Sequence, residues 1–120
     1  MANQDVKGLK RILNAFVYSW QGLKAAYQNE EAFRQECLKV LIGIPLAIYF
    51  GNNGVEYALL IGGLILILIV EIINSAIEAV VDRIGEERHE LAGRAKDMGS
   101  AAVLLTFILN AVIWVAVLFF

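Results

Sequence analysis

One hundred and twenty residues suit a single domain, and 59% of them are hydrophobic against 18% charged, a balance too apolar for an ordinary soluble domain of this size. A formal net charge of −2 excludes nucleic-acid binding through bulk positive charge. The single cysteine, Cys37, excludes an internal disulfide, and the polar first ten residues do not read as a secretory signal.

Residues 7–28 carry Leu9, Ile12, Leu13, Phe16, Trp20, Leu23 and Tyr27 at helical spacing, with Lys7, Lys10, Arg11, Asn14, Gln21 and Lys24 on much of the remaining surface. That pattern predicts a basic, aromatic amphipathic helix lying on a membrane surface. A packed helix of a soluble bundle is the alternative. Asn29 is expected to cap the next helix, with Glu30 and Glu31 in its first turn. A first membrane span is expected over about 31–50. Its uncharged part is short, so Lys39 must snorkel, and Pro45 is expected to kink it. Gly51-Asn52-Asn53-Gly54 is a turn signal. A second span follows over about 55–83, ended or bent by Ile84-Gly85. Residues 86–97 form a charged, partly helical connection. The third span covers about 94–120, wholly apolar from near 98 apart from Ser100, Thr106 and Asn110. Gly62, Gly63, Gly99, Ala101 and Ala102 would let backbones approach closely.

All ten Lys and Arg lie within residues 7–39 and 83–96. The positive-inside rule therefore puts the N-terminus and the 84–97 connection in the cytoplasm. The fold class predicted is an all-α membrane protein, one domain over 1–120, with an N-terminal surface helix and three transmembrane helices.

The second span contains an anomaly. Glu71, Asn74, Ser75 and Glu78 interrupt an apolar run, and Asp82 follows. At ~100° per residue Glu78 lies ~20° from Glu71 and Asp82 ~40° beyond, so all five share about a third of the circumference. Ionisable groups at membrane depth cost roughly 2.5–3.5 kcal/mol each, so a repeated set on one face marks a polar site. Near the cytoplasmic rim Glu78, with Glu30 at a similar level, suits a hard divalent cation whose shell is completed by phosphate oxygens or water. Glu71, ~10 Å deeper, is desolvated, which makes it a better proton acceptor than a carboxylate in water. Arg88, His89, Arg94 and Lys96 could neutralise phosphates.

Plainer alternatives exist for each signal. The stripe could be interhelical glue in an oligomer or line an ion path, Glu30 could cap a helix, and His89 could be a solvated loop residue. Glu86, Glu90 and Arg94 could form a solvated salt-bridged face, and Trp20 and Trp114 could be interface anchors. No phosphate-loop, dinucleotide or protein-kinase motif occurs. The residues alone define an oligomeric membrane protein with an acidic cytoplasmic rim, and no reaction.

The run from Glu71 through Asn74, Glu78 and Asp82 to Gly85, continued by His89-Glu-Leu-Ala-Gly-Arg-Ala-Lys-Asp-Met-Gly-Ser-Ala-Ala-Val, resembles the small integral-membrane diacylglycerol kinases of bacteria. So do Asn29-Glu30, the Ala32–Glu36 segment (AFRQE) and Tyr18-Ser19-Trp20. The resemblance covers essentially the whole chain. It implies a homotrimer in the bacterial inner membrane, with active sites shared between subunits and facing the cytoplasm. The implied reaction moves the γ-phosphate of MgATP to the hydroxyl of diacylglycerol, giving phosphatidate. It assigns Glu71 as general base, with Asn74 and Asp82 supporting it, and Glu30 and Glu78 as Mg²⁺ ligands. Arg11, Tyr18, Glu30, Glu78, Glu87, Arg88, His89, Lys96 and Asp97 are the implied ATP contacts. Lipid contacts are implied for Arg11, Ala15, Ser19, Trp20, Lys24, Tyr27, Ala32, Phe33, Arg34, Gln35, Glu36, Glu71, Ser100 and Trp114. Tyr57 stands where Gram-negative members carry Arg, and Phe16 replaces a small residue. A related branch phosphorylates undecaprenol, and the Tyr18–Trp20 and Ala32–Glu36 matches favour diacylglycerol.

Overall fold

A computed structural model describes residues 7–85 and 89–120. Among these residues it contains four helices: α1 (Leu9–Asn29), α2 (Glu31–Phe50), α3 (Gly54–Ile84) and α4 (Glu90–Phe119). The membrane character is plain in α3 and α4, both long and apolar enough to cross a bilayer. α2 has 20 residues but carries Glu31, Arg34, Glu36 and Lys39 in its first half.

α1 leaves its apolar stripe uncovered. Phe16 is 70% exposed and Trp20 68%, with Ile12, Leu13 and Leu23 also exposed, while Ala26 is its buried residue. The break between α1 and α2 falls at Glu30, whose backbone turns to an extended conformation. Asn29, expected to cap α2, instead closes α1: its Nδ2 donates to the Ala25 carbonyl at 2.8 Å. Arg34 then reaches back and donates from Nη1 to the carbonyls of Tyr27 (2.8 Å) and Gln28 (3.2 Å), satisfying groups that the end of α1 leaves open.

α2 runs on through Pro45 to Phe50. The 51–53 break follows, where Asn53 caps α3 by accepting from the Glu56 N–H at 3.0 Å. α4 begins at Glu90, inside the 86–97 connection expected to be partly helical. His89 makes this possible. It caps the helix, with Nδ1 accepting from the Leu91 N–H at 3.1 Å, and the first turns are braced by Arg94 on Glu90 at 3.1 Å.

The register of α2 against α3 positions the site. Gly43 sits against Leu64, so close that a Cβ on Gly43 would lie 2.8 Å from Leu64 Cδ1. The helices are antiparallel, so stepping along one and back along the other by helical repeats pairs the remaining buried positions. Phe33 falls level with Asn74, Glu36 with Glu71, Val40 with Ile67 and Ala47 with Leu60, and each of these residues is buried. The α3–α4 seam is pinned at two heights. Asn110 Nδ2 donates to the Gly63 carbonyl at 2.9 Å, and Gly99 faces Asn74 with no room for a Cβ. Small residues on this seam let the helices approach closely.

Candidate active site

The carboxylates of α3 lie where its buried face turns from aliphatic to polar. Glu71 is 5% exposed, held between α2 and α4. Asn74 and Ser75 are buried beside it, whereas Glu78 is half-buried and Asp82 exposed, one and two turns nearer the end of the helix. The stripe is thus graded from a desolvated carboxylate to a solvated one. Asn74 Nδ2 donates to Glu78 Oε1 at 3.4 Å. Its Oδ1 is buried without a partner, aimed at the backbone of Gly99. Lys96, on α4, pairs with Asp82 Oδ1 at 2.6 Å, so two residues separated by 14 positions and a helix break become one ion pair at the rim.

Glu30, Glu36, Lys39 and Glu78 are the charges that act on Glu71. Three of them come from α2 or its first boundary, so α2 supplies most of the charge that faces Glu71. Glu30 is half-buried and makes no capping bond with its side chain, which removes the capping alternative for its carboxylate. It lines a groove of about 390 Å³ between α1 and α3, together with Ala26, Asn29, Ile72, Ser75 and Ala79. Glu30 and Glu78 offer hard oxygen donors of the kind magnesium takes. Among the described residues no group of three or more His, Cys, Asp and Glu could hold a metal. A cation at this pair would need further oxygens from phosphate or water.

The other expected contacts divide into clear sets. His89 and Asp97 line one depression with Glu90, Gly93 and Arg94. Because His89 Nδ1 is engaged in the cap, Nε2 is the nitrogen it can turn to a ligand. Glu87 and Arg88 lie outside the described residues. Arg11 is exposed and Tyr18 half-buried on α1. Ala15, Trp20, Lys24 and Tyr27 are exposed on the same helix, as is Ser19, whose hydroxyl donates back to the Ala15 carbonyl at 2.8 Å. On α2, Ala32 and Gln35 are exposed, and Arg34 is turned onto the end of α1. Phe33 and Glu36 are buried, because positions 33, 36, 40, 43 and 47 form one face of α2. Ser100 is exposed on α4 and Trp114 half-buried well towards its far end. Sequence reasoning missed two features of the site: the buried Glu36 with its partner Lys39, and the clearance that Gly99 leaves for Asn74. The first was legible only as an odd carboxylate on an apolar face.

An all-helical membrane protein with a graded carboxylate stripe opposite an acidic boundary residue is the class that fold and site define. Residues 17–118 match the family described as prokaryotic diacylglycerol kinase. The chain is 54% identical over 114 residues to the diacylglycerol kinase of Escherichia coli strain K12, covering 95% of this chain and 93% of that protein. It is 49% identical over 113 residues to the diacylglycerol kinase of Haemophilus influenzae, covering 94% and 96%. To that of Pseudomonas aeruginosa it is 50% identical over 111 residues, covering 92% and 90%. The chain belongs to the prokaryotic diacylglycerol kinase family.

Proposed function

We propose that this protein is an ATP-dependent diacylglycerol kinase that makes phosphatidate at the cytoplasmic face of a bacterial inner membrane. The observation that carries the reading is the burial of Glu71 in a chain about half identical, over nine-tenths of its length, to proteins named for that activity. α2 is the first of three spans, crossing with Lys39 and its polar first turn included, and α1 lies on the cytoplasmic surface with its uncovered stripe in the lipid. The working unit is a homotrimer, in which the broad apolar surfaces of α3 and α4 left exposed in one chain meet neighbours or lipid.

The lipid hydroxyl approaches Glu71 from the bilayer, and its oxygen attacks the γ-phosphorus of ATP. The hydroxyl proton passes to the Glu71 carboxylate, the bond from the γ-phosphorus to the bridging oxygen breaks, and ADP leaves. Asn74 holds Glu78 beside the reacting groups. Glu30 and Glu78 would hold Mg²⁺, which supplies charge neutralisation for the phosphates. Lys96, Arg11 and His89 Nε2 offset phosphate charge from α4 and α1, with Glu87, Arg88, Tyr18 and Asp97 completing the nucleotide contacts. The exposed face of α1 from Ala15 to Tyr27, with Ala32, Gln35, Ser100 and Trp114, guides the lipid. Positioning and electrostatics dominate, since phosphoryl transfer asks little covalent work of the protein.

An ion path is disfavoured by a specific observation. The buried polar donors of α4 are spent on backbone, Thr106 on the Ala102 carbonyl and Asn110 on those of Gly63 and Thr106. The purified protein in lipid, given radiolabelled ATP with diacylglycerol and undecaprenol in competition, should label phosphatidate in preference. Labelled undecaprenyl phosphate alone would reassign the acceptor, and no labelled lipid would overturn the reading.

A further inference from the structure

Lys39 has no part in the reaction as drawn, yet its surroundings are unusual for a lysine on a membrane helix. Its Nζ lies 3.0 Å from Glu36 Oε1 and 5.1 Å from the centre of the Phe107 ring on α4, within reach of a cation–π contact. The lysine is exposed at the flank of the seam, but its partner is not: the Glu36 side chain is 6% exposed, and its Oε2 is buried without a hydrogen bond. The α2–α3 register sets Glu36 level with Glu71, two helical turns from the Gly43–Leu64 contact on each helix.

Two carboxylates facing each other across a dry seam each disfavour charge on the other. A buried carboxylate is tolerated when a cation pairs with it and is strongly disfavoured when that cation is removed. Among the described residues, the charges acting on Glu71 are the negative Glu36, Glu78 and Glu30 and the positive Lys39. Lys96 is engaged at the rim by Asp82.

We propose that Lys39 is a positioning residue for the base: paired with Glu36 and braced on Phe107, it neutralises the carboxylate opposite Glu71 and leaves Glu71 as the group that takes the lipid proton. This rests on the kinase reading given above. The test uses the full-length protein in mixed micelles with MgATP and diacylglycerol, comparing wild type, Lys39→Met, Lys39→Arg and the double variant Glu36→Gln/Lys39→Met. Lys39→Met should lower kcat about tenfold or more while KM for both substrates stays within about twofold, the split expected when ground-state binding is untouched. Lys39→Arg should recover most of that loss, because a guanidinium can hold both the carboxylate and the ring. The double variant should also recover, because no unpaired buried carboxylate then faces the base. A merely structural lysine would lower resistance to unfolding without this split, and Glu36→Gln would not repair its loss. A kcat for Lys39→Met within about twofold of wild type, or a double variant no better than the single one, overturns the inference. Inactive wild type removes the kinase reading and the inference together, whereas active wild type with a flat Lys39 series removes the inference alone.

Discussion

The two halves of the α2–α3 seam are built on one register and filled with opposite chemistry. Towards the 51–53 turn the level pairs are Val40 with Ile67, Gly43 with Leu64 and Ala47 with Leu60, all apolar, with Leu64 set closely against Gly43. Towards Glu30 they are Glu36 with Glu71 and Phe33 with Asn74. The aliphatic half explains how the helices hold together; nothing in packing explains the other half. Buried carboxylates disfavour folding unless paired, and here Glu36 Oε2 and Asn74 Oδ1 remain without partners. The difference teaches that the first half is scaffold and the second is a site carried by the same scaffold.

Variants that treat the halves differently test the distinction. The largest effect is expected at Glu71. Glu71→Gln keeps the shape of the side chain and removes the proposed proton acceptor, so turnover should fall about 10³-fold, the middle of the range for a lost general base. Nucleotide binding, followed with a fluorescent ATP analogue, should persist, and resistance to unfolding should not fall, because the seam loses a buried carboxylate. Substantial activity in this variant would return the stripe to the role of helix glue.

A second, smaller loss is expected from a residue with no chemistry. A Cβ at Gly99 would collide with Asn74 Oδ1, and Asn74 also holds Glu78. Gly99→Ala should therefore lower kcat by about tenfold through displacement of the positioning amide. The change should be visible in steady-state kinetics at saturating lipid. The matching change in the aliphatic half, Gly43→Ala, meets the mobile end of Leu64, and its kcat should stay within about twofold of wild type. Equal losses from the two would erase the distinction between the halves.

Much of this was legible in the sequence because one helix carries it. The angular spacing of Glu71, Asn74, Ser75, Glu78 and Asp82 follows from the helical repeat alone, and the structure buries the first three together. What spacing could not supply was the partner. Register between helices depends on which small residue meets which large one, as Gly43 meets Leu64, and no single-helix pattern encodes that. The charge of Glu36 disguised the buried face of α2. Asn29 was misread because its preference for capping yielded to a bond back to Ala25. The cap of α4 was not legible, because His89, not a favoured capping residue, takes that role.

The smallest effect should come from the polar group that belongs to the scaffold. Asn110 Nδ2 donates to the carbonyls of Gly63 (2.9 Å) and Thr106 (3.0 Å) in the half of α3 away from the carboxylates. Interhelical bonds of this kind are worth about 0.6 kcal/mol in membranes, at most about 1.7. Its own Oδ1 is buried and unpartnered, so part of the gain is offset by the cost of burying that oxygen. Asn110→Leu removes both the bonds and the stranded oxygen, and its net effect on unfolding in mixed micelles should be under about 1 kcal/mol in either direction. Activity per folded molecule should match wild type, since Gly63 lies eight residues from Glu71, about 12 Å along the helix. A loss of kcat at Asn110 comparable to that at Gly99 would mean that the far half of the seam is coupled to the chemistry. Unchanged kinetics with a small stability shift is what a scaffold bond predicts.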